Sequence, residues 1–307
     1  HLVGVFAWVM RRTMKTSGPE TLSVAANTFV GQTEAPLMIA PFIGKMSMSE
    51  LTAVMTGGFA TVAGGVLAAY VGLLKGVFPD IAGHLIAATV MSAPAALVIA
   101  KVMWPETEKR EIDEDSAAEA VSPDANVIDA AARGAYEGMK LALNVGAMLL
   151  AFIALIALGN ALLGLPFQLY NDWMGLEGAA AVAPLTFQQI LGWLFWPFAF
   201  LIGVPFAECA TVGTLLGEKI VLTEFIAYLH LYESLTEGAA QLSNRSVVIA
   251  SYALCGFANF GSIGIQIGGI GGIAPERRQD LARLGLRAMF GGMLASLMTA
   301  AVAGMLL

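Results

Sequence analysis

The chain has 307 residues, of which 57% are hydrophobic and 13% charged, with a formal net charge of −7 and a mean hydropathy of +0.74. Soluble domains run at about 45–50% apolar and about 25% charged, so this composition excludes an ordinary soluble domain and places the chain in a bilayer. Cys209 and Cys255 lie in apolar runs without CxxC spacing, and His1 is one of only three histidines; a disulfide framework, a histidine metal site and a catalytic triad are not expected.

In chain order, His1-Leu2-Val3-Gly4 enters an apolar helical pattern with no initiator Met, charged n-region or cleavage site, which reads as a chain lacking its true N-terminus. Residues 1–15 end in Arg11, Arg12 and Lys15 and suit an interfacial helix. A first repeat is expected over 17–103, with a hairpin at 17–45, a broken helix at 50–76 and a helix at 83–103. Leu22 to Gly44 is apolar on both sides of Gly31-Gln32-Thr33-Glu34, with Pro36 and Pro41 behind it. Ten helical residues rise about 15 Å, half of a hydrocarbon core of about 30 Å, so the segment goes in and comes back. Its tip must be buried in protein or line a cavity.

A polar loop and amphipathic helix are expected over 104–142. The acidic run from Glu106 to Asp129 reads as a solvated loop. A scaffold helix around Ala147 to Leu163 and an interfacial helix fill 143–204, where Trp173, Trp193 and Trp196 mark an interface. The second repeat, 205–307, comprises a hairpin at 205–236, a broken helix at 246–274 and a helix at 277–307.

The two repeats look alike in their polar residues. Thr33-Glu34 precedes GGFATVAGG, and Thr223-Glu224 precedes CGFANFGSIG. Glycines bracket Thr61 in the first segment and Asn259 and Ser262 in the second; each glycine weakens a helix by about 1 kcal/mol and lets backbones approach closely. Glycines alone also serve helix packing, but here they flank polar side chains and follow a carboxylate, twice. A charge at mid-bilayer costs about 2.5–3.5 kcal/mol on the lenient insertion scale, so Glu34 and Glu224 call for partners or water. Gln32 and Thr33 could read the edge of a planar heterocycle, and Asn259 and Ser262 could join Glu224 on a polyol. The fold class expected is an all-α membrane protein with two inverted repeats, each with a re-entrant helical hairpin and a discontinuous transmembrane helix.

GQTEAPL after ANTFV, the TEFIAY segment and GFANFGSIGIQIGG resemble the concentrative nucleoside transporters, from Arg11 to the C-terminus. The resemblance implies symport of nucleosides of the uridine, cytidine and adenosine class with sodium, by elevator-type alternating access, in a homotrimer in the plasma or bacterial inner membrane. It implies no enzymatic activity and no nucleic-acid partner. Base contacts fall by motif on Gln32, Thr33 and Glu34, with Val66 on the following helix; ribose contacts fall on Glu224, Asn259 and Ser262, with Phe257 as an apolar wall. Sodium ligands map onto the Asn27 side chain, the Val30 carbonyl, the Thr61 hydroxyl and the Val62 carbonyl. Thr61 stands where many members carry serine, which keeps the hydroxyl and adds a methyl, and the retained Asn27 favours sodium. Members carry further spanning helices ahead of the point where this chain begins. Two alternatives stand beside this reading: a proton-coupled symporter in which Glu34 or Glu224 titrates, and an ion channel with a glycine-rich filter. An intramembrane enzyme lacks a base, nucleophile and orienting group occurring together.

Overall fold

Side-chain caps start several of the helices: Ser47, Asn126, Thr186, Ser243 and Asn259 each accept a hydrogen bond from a backbone amide of the first turn. The computed structural model describes residues 2–14, 16–108, 125–176, 178, 181–236 and 242–307, and among these all regular structure is helical. Most of the acidic insert, residues 109–124, lies outside the described residues.

Helix α1 (Leu2–Met14) sets Met10 into a small buried cluster with Val24, Ala53 and Leu97. Helix α2 (Gly18–Asn27) starts at Ser17, whose backbone N–H donates to Glu20 Oε1 at 2.6 Å, one half of a capping box. After Asn27 the chain turns, and the return arm is a 3-10 turn, Ala35–Ile39, followed by the four-residue α3 (Ala40–Ile43). Pro36 and Pro41 lack the amide that a longer helix would need.

Helix α4 (Met48–Ala60) carries a complete capping box: Ser47 Oγ accepts from Glu50 N at 3.1 Å and Glu50 Oε2 accepts from Ser47 N at 3.0 Å. It stops at Thr61, which is extended (φ −122°, ψ 162°), and α5 (Gly64–Leu74) resumes after Ala63. Helix α6 (Ile81–Met103) follows. The second unit repeats the order: α9 (Cys209–Val221) and α10 (Glu224–Thr236), then α11 (Asn244–Leu254) and α12 (Phe260–Ile273) on either side of a break at 255–259, then α13 (Arg278–Leu306). Helix α13 packs on α4, α6, α11 and α12, and α8 (Phe187–Leu201) lies along α9. Met48–Leu74, Ile81–Met103 and Pro275–Leu306 are long and apolar enough to cross a membrane.

The two breaks meet. Gly256 has φ +156°, and a Cβ there would come within 2.9 Å of the carbonyls of both Phe59 and Ala60 at the end of α4. Only glycine lets the second break close on the first.

Between the units the sequence reading divides a polar-loop region from a scaffold helix at 142/143, whereas α7 (Val127–Met174) is one continuous helix of 48 residues. Asn144 and Gly146 are isolated within an otherwise good helical pattern, and an isolated glycine does not end a helix. At about 72 Å it is more than twice the span of a hydrocarbon core. It ends at Gly175 in the left-handed region, φ 63°. Trp173 and Trp193 are largely exposed, and Trp196 stacks on Phe200 at 5.6 Å.

Candidate functional site

Asn27 sits where α2 runs out, 2% exposed, and its amide reaches across to the first break. Nδ2 donates to Gly57 O at 2.8 Å and to Thr61 Oγ1. Gly64 N at the start of α5 donates to Phe29 O at 3.3 Å, so the loop after α2 is tied to both sides of the break. Asn27 Oδ1 is buried and has no hydrogen-bond partner. An unpaired buried acceptor costs about 1–3 kcal/mol, so this oxygen is suited to a cation or donor. Thr61 and Val62 are fully buried, and Val30, three residues after Asn27, lies in the irregular loop. Among the described residues no group of three or more His, Cys, Asp or Glu could hold a metal ion. The donors on offer are neutral amide, hydroxyl and carbonyl oxygens, a set that fits a hard monovalent cation.

Glu224 opens α10 and is 5% exposed. Each carboxylate oxygen takes one donor: Oε1 accepts from Tyr70 OH at 2.9 Å and Oε2 from Asn259 Nδ2 at 3.0 Å. Asn259 is the N-cap of α12, and its Oδ1 accepts from Ser262 N at 2.8 Å, so one side chain both starts the helix and holds the acid. Tyr70 comes from α5 of the other unit and packs on Tyr228 with ring centroids 4.4 Å apart. Tyr228 OH donates to Ser251 O at 2.7 Å, and buried Lys219 donates to Ala253 O at 2.8 Å.

Gln32, at the tip of the first hairpin, connects to this group. Its Nε2 lies 3.5 Å from Ser262 Oγ, and its Oε1 accepts from Gln266 Nε2 at 3.1 Å. A polar thread thus runs from Gln32 through Ser262 and Asn259 to Glu224 and Tyr70, joining both units. Thr33 is half-buried against Gly269 of α12, where a Cβ would sit 3.1 Å from Thr33 Cγ2. Val66 and Phe257 are half-buried and pack on the core.

Glu34 does not join the thread. The matching sequence positions imply two acids in apolar surroundings, but Glu34 is exposed and its carboxylate folds back over Gly31, where a Cβ would meet Oε2 at 2.7 Å. Gly31 has φ +123°, and the chain after Glu34 turns into a proline-bearing 3-10 segment in place of a helix that would bury it.

Two members of the cluster escape a reading by motif. Tyr70 is 1% exposed and Gln266 is fully buried. Tyr70 is the lone polar side chain of α5, and Gln266 shares α12 only with Ser262 among apolar and small residues; buried polar groups of that kind need partners. That signal is present in the sequence: Tyr70 lies outside the quoted motifs, and Gln266 lies inside GFANFGSIGIQIGG without being singled out from it.

Residues 84–304 match the family described as "Na+ dependent nucleoside transporter C-terminus", and residues 1–76 match the family described as "Nucleoside recognition". An uncharacterized transporter of Bacillus subtilis, YutK, is 48% identical over 297 residues, covering 96% of this chain and 69% of that protein. Sodium/nucleoside cotransporter 1 of Rattus norvegicus is 42% identical over 312 residues, covering 98% of this chain and 46% of that protein. Among solved structures, CNTnw in an inward-facing substrate-bound state has a TM-score of 0.86 and 47% identity, covering 99% of this chain and 68% of that one.

Proposed function

The chain belongs to the concentrative, Na+ dependent nucleoside transporter family, and from that premise we propose that it moves nucleosides across a membrane in symport with sodium. The observation that carries this reading is the hydrogen-bonded thread in which Glu224, Asn259 and Ser262 of one unit meet Gln32 and Tyr70 of the other. A ligand seated there touches both halves of the fold, which is how transporters built from repeats form their sites.

The roles follow from the donors already spent. Glu224 uses one acceptor site on each oxygen for Tyr70 and Asn259, and a carboxylate has about four. Those remaining can accept ribose hydroxyls in charge-assisted bonds worth about 1.5–3 kcal/mol each. Gln32, Thr33 and Glu34 take the base, with Val66 and Phe257 as apolar walls and Ser262 between base and sugar. Sodium, as the co-transported ion, falls to Asn27 Oδ1, Thr61 Oγ1 and the carbonyls of Val30 and Val62. Holding it there ties the first hairpin to the break between α4 and α5, five residues before Gln32, so sodium raises nucleoside affinity and nucleoside raises sodium affinity by the same factor. A potential of 100 mV contributes about 2.3 kcal/mol per charge and a tenfold gradient about 1.4 kcal/mol, enough for an accumulation of a few hundredfold.

In this reading the two segments shorter than the bilayer, 17–45 and 205–236, are re-entrant hairpins of two inverted repeats. They and the broken helices move as a unit against a homotrimeric scaffold. The test is uptake of labelled uridine and adenosine into proteoliposomes by the full-length protein, with and without a sodium gradient. Saturable, sodium-driven uptake of chemically unchanged nucleoside is expected. Uptake that ignores sodium and follows a proton gradient would overturn sodium coupling, and ion conductance without nucleoside counterflow would overturn the transporter reading.

A further inference from the structure

Gln266 stands in α12, fully buried, among isoleucines and glycines. Its Nε2 lies 3.1 Å from Met55 O and 3.1 Å from the side-chain amide of Gln32. Met55 O is a backbone carbonyl and can only accept, so the Gln266 atom facing it is the nitrogen. The same nitrogen offers its second hydrogen to Gln32, and the Gln32 atom receiving it must be the oxygen. The NH2 group of Gln32 is therefore turned the other way, toward Ser262 Oγ at 3.5 Å. That separation is longer than the usual 2.9–3.0 Å of an N–H···O bond, so this link of the thread is a weak one and the second hydrogen of the NH2 group remains for a ligand.

A glutamine at a loop tip has no such constraint by itself, because its amide oxygen and nitrogen exchange places with a half-turn about the last bond. One feature holds this one, and a second gives it room. Turning Gln266 over would set its oxygen against Met55 O, two acceptors facing each other. Gly58 of α4 also makes room: a Cβ there would collide with Gln266 Nε2. Gln266 Oε1 itself is buried without a partner, an arrangement that costs about 1–3 kcal/mol and that an apolar residue at this position would avoid.

We infer that Gln266 is a positioning residue that fixes Gln32 with its NH2 group toward the nucleobase, so that this point of the site favours a carbonyl over an amine at the ring position it faces. The inference rests on the nucleoside reading above and adds to it which face of Gln32 the base meets. A ring carbonyl satisfies the fixed donor, whereas an exocyclic amine presents it with a second donor. At ring position 4 uridine carries a carbonyl and cytidine an amine, while N3 changes in the opposite sense, so the preference expected below is that of a Gln32 NH2 group facing position 4.

The experiment is equilibrium binding of uridine, cytidine and 2′-deoxyuridine to the full-length protein at saturating sodium. Wild type is expected to bind uridine more tightly than cytidine. Gln266→Met removes the orienting donor, and the uridine preference should fall about three- to tenfold, the worth of one oriented hydrogen bond. Gln266→Glu keeps the shape but puts an acceptor or a single hydroxyl donor beside Met55 O, so Gln32 turns its NH2 group inward and the preference should move toward cytidine. The ratio of 2′-deoxyuridine to uridine should stay at its wild-type value in both variants, since Glu224 and Asn259 are untouched. In a Gln32→Ala background Gln266→Met should leave the base ratio unchanged.

A residue that merely fills the core would weaken all three ligands alike. That outcome, or a wild type that binds cytidine as well as uridine, overturns the inference. Because the wild-type ratio is decisive by itself, a variant that fails to fold does not rescue it. A full-length protein that binds none of the three nucleosides overturns the underlying reading instead.

Discussion

The two hairpins carry the same Thr-Glu pair and use it differently. At the second, Thr223 is 7% exposed and Glu224 5% exposed, with Tyr70 and Asn259 each donating to one carboxylate oxygen. At the first, Thr33 is half-buried and Glu34 exposed, curled over Gly31, with no side-chain hydrogen bond to it among the described residues. The difference lies in the segment each acid leads into and the element that faces it. Glu224 begins a 13-residue helix that seats it under α5, whereas Glu34 runs into Pro36 and a short 3-10 turn that leaves it at the surface of the hairpin tip. Repetition in sequence copies the residue type; burial is decided by the element of the other unit that lies across it.

The largest effect expected from this contrast is at Glu224. Glu224→Ala strands Tyr70 OH and Asn259 Nδ2 in a buried site, and each unpaired donor costs about 1–3 kcal/mol. Unfolding should shift by more than about 2 kcal/mol, seen as a lowered melting temperature of the purified protein, and nucleoside binding should be lost. Glu224→Gln keeps an acceptor and the shape, so the fold should survive while affinity falls about tenfold to a hundredfold, the range of charge-assisted bonds. The loss should be smaller for a deoxynucleoside lacking a contacted hydroxyl; equal losses at every hydroxyl tested would break the ribose assignment.

Tyr70→Phe probes the same acid from the opposite unit. It removes one hydroxyl donor and keeps the ring that packs on Tyr228 at 4.4 Å. Glu224 then retains only Asn259 as a side-chain donor, and uridine affinity should drop about three- to tenfold, with stability lowered by about 1 kcal/mol. Titration of uridine into the variant measures it. An unchanged dissociation constant would mean that Tyr70 supports packing alone.

Much of the all-helical organisation is legible in the sequence because it comes from composition and glycine placement. Apolar length, and glycine clusters around Thr61 and Asn259, fall at or beside helix breaks. Less legible is anything set by packing across units. Tyr70 and Gln266 sit in largely apolar helices, and only the fold brings one to Glu224 and the other to Gln32. The exposure of Glu34 is hidden for the converse reason: its neighbours in sequence resemble those of Glu224, and no local pattern reports that α5 covers one acid and not the other. The unbroken α7 escapes the sequence reading because a composition change from polar to apolar looks like a boundary, whereas the backbone stays helical across it and even through Pro166.

Asn27→Ala tests the first hairpin where it is buried. The change deletes the orphan oxygen and also the donors to Gly57 O and Thr61 Oγ1. The sodium concentration needed for half-maximal uridine binding should rise about tenfold, since one of few oxygen ligands is gone. Saturating sodium should restore much of the uridine affinity, because the residues assigned to base and sugar are intact. A grid of uridine binding against sodium concentration measures both. Unchanged sodium dependence would place the cation elsewhere and favour proton coupling.

Glu34→Gln should have the smallest structural effect of the series, and it sharpens the contrast with Glu224 most. An exposed carboxylate without a partner contributes little to folding, and surface substitutions of this kind stay within about 0.5 kcal/mol. The melting temperature should therefore be that of wild type. Its proposed part in holding the base should still cost uridine affinity, by about three- to tenfold for one bond to a charged group, and added sodium should not restore the loss because no cation ligand has changed. The same sodium grid separates the outcomes. An affinity loss that sodium reverses would make Glu34 part of cation coupling, and a large fall in melting temperature would mean that the first hairpin buries its acid in the assembled protein as the second does.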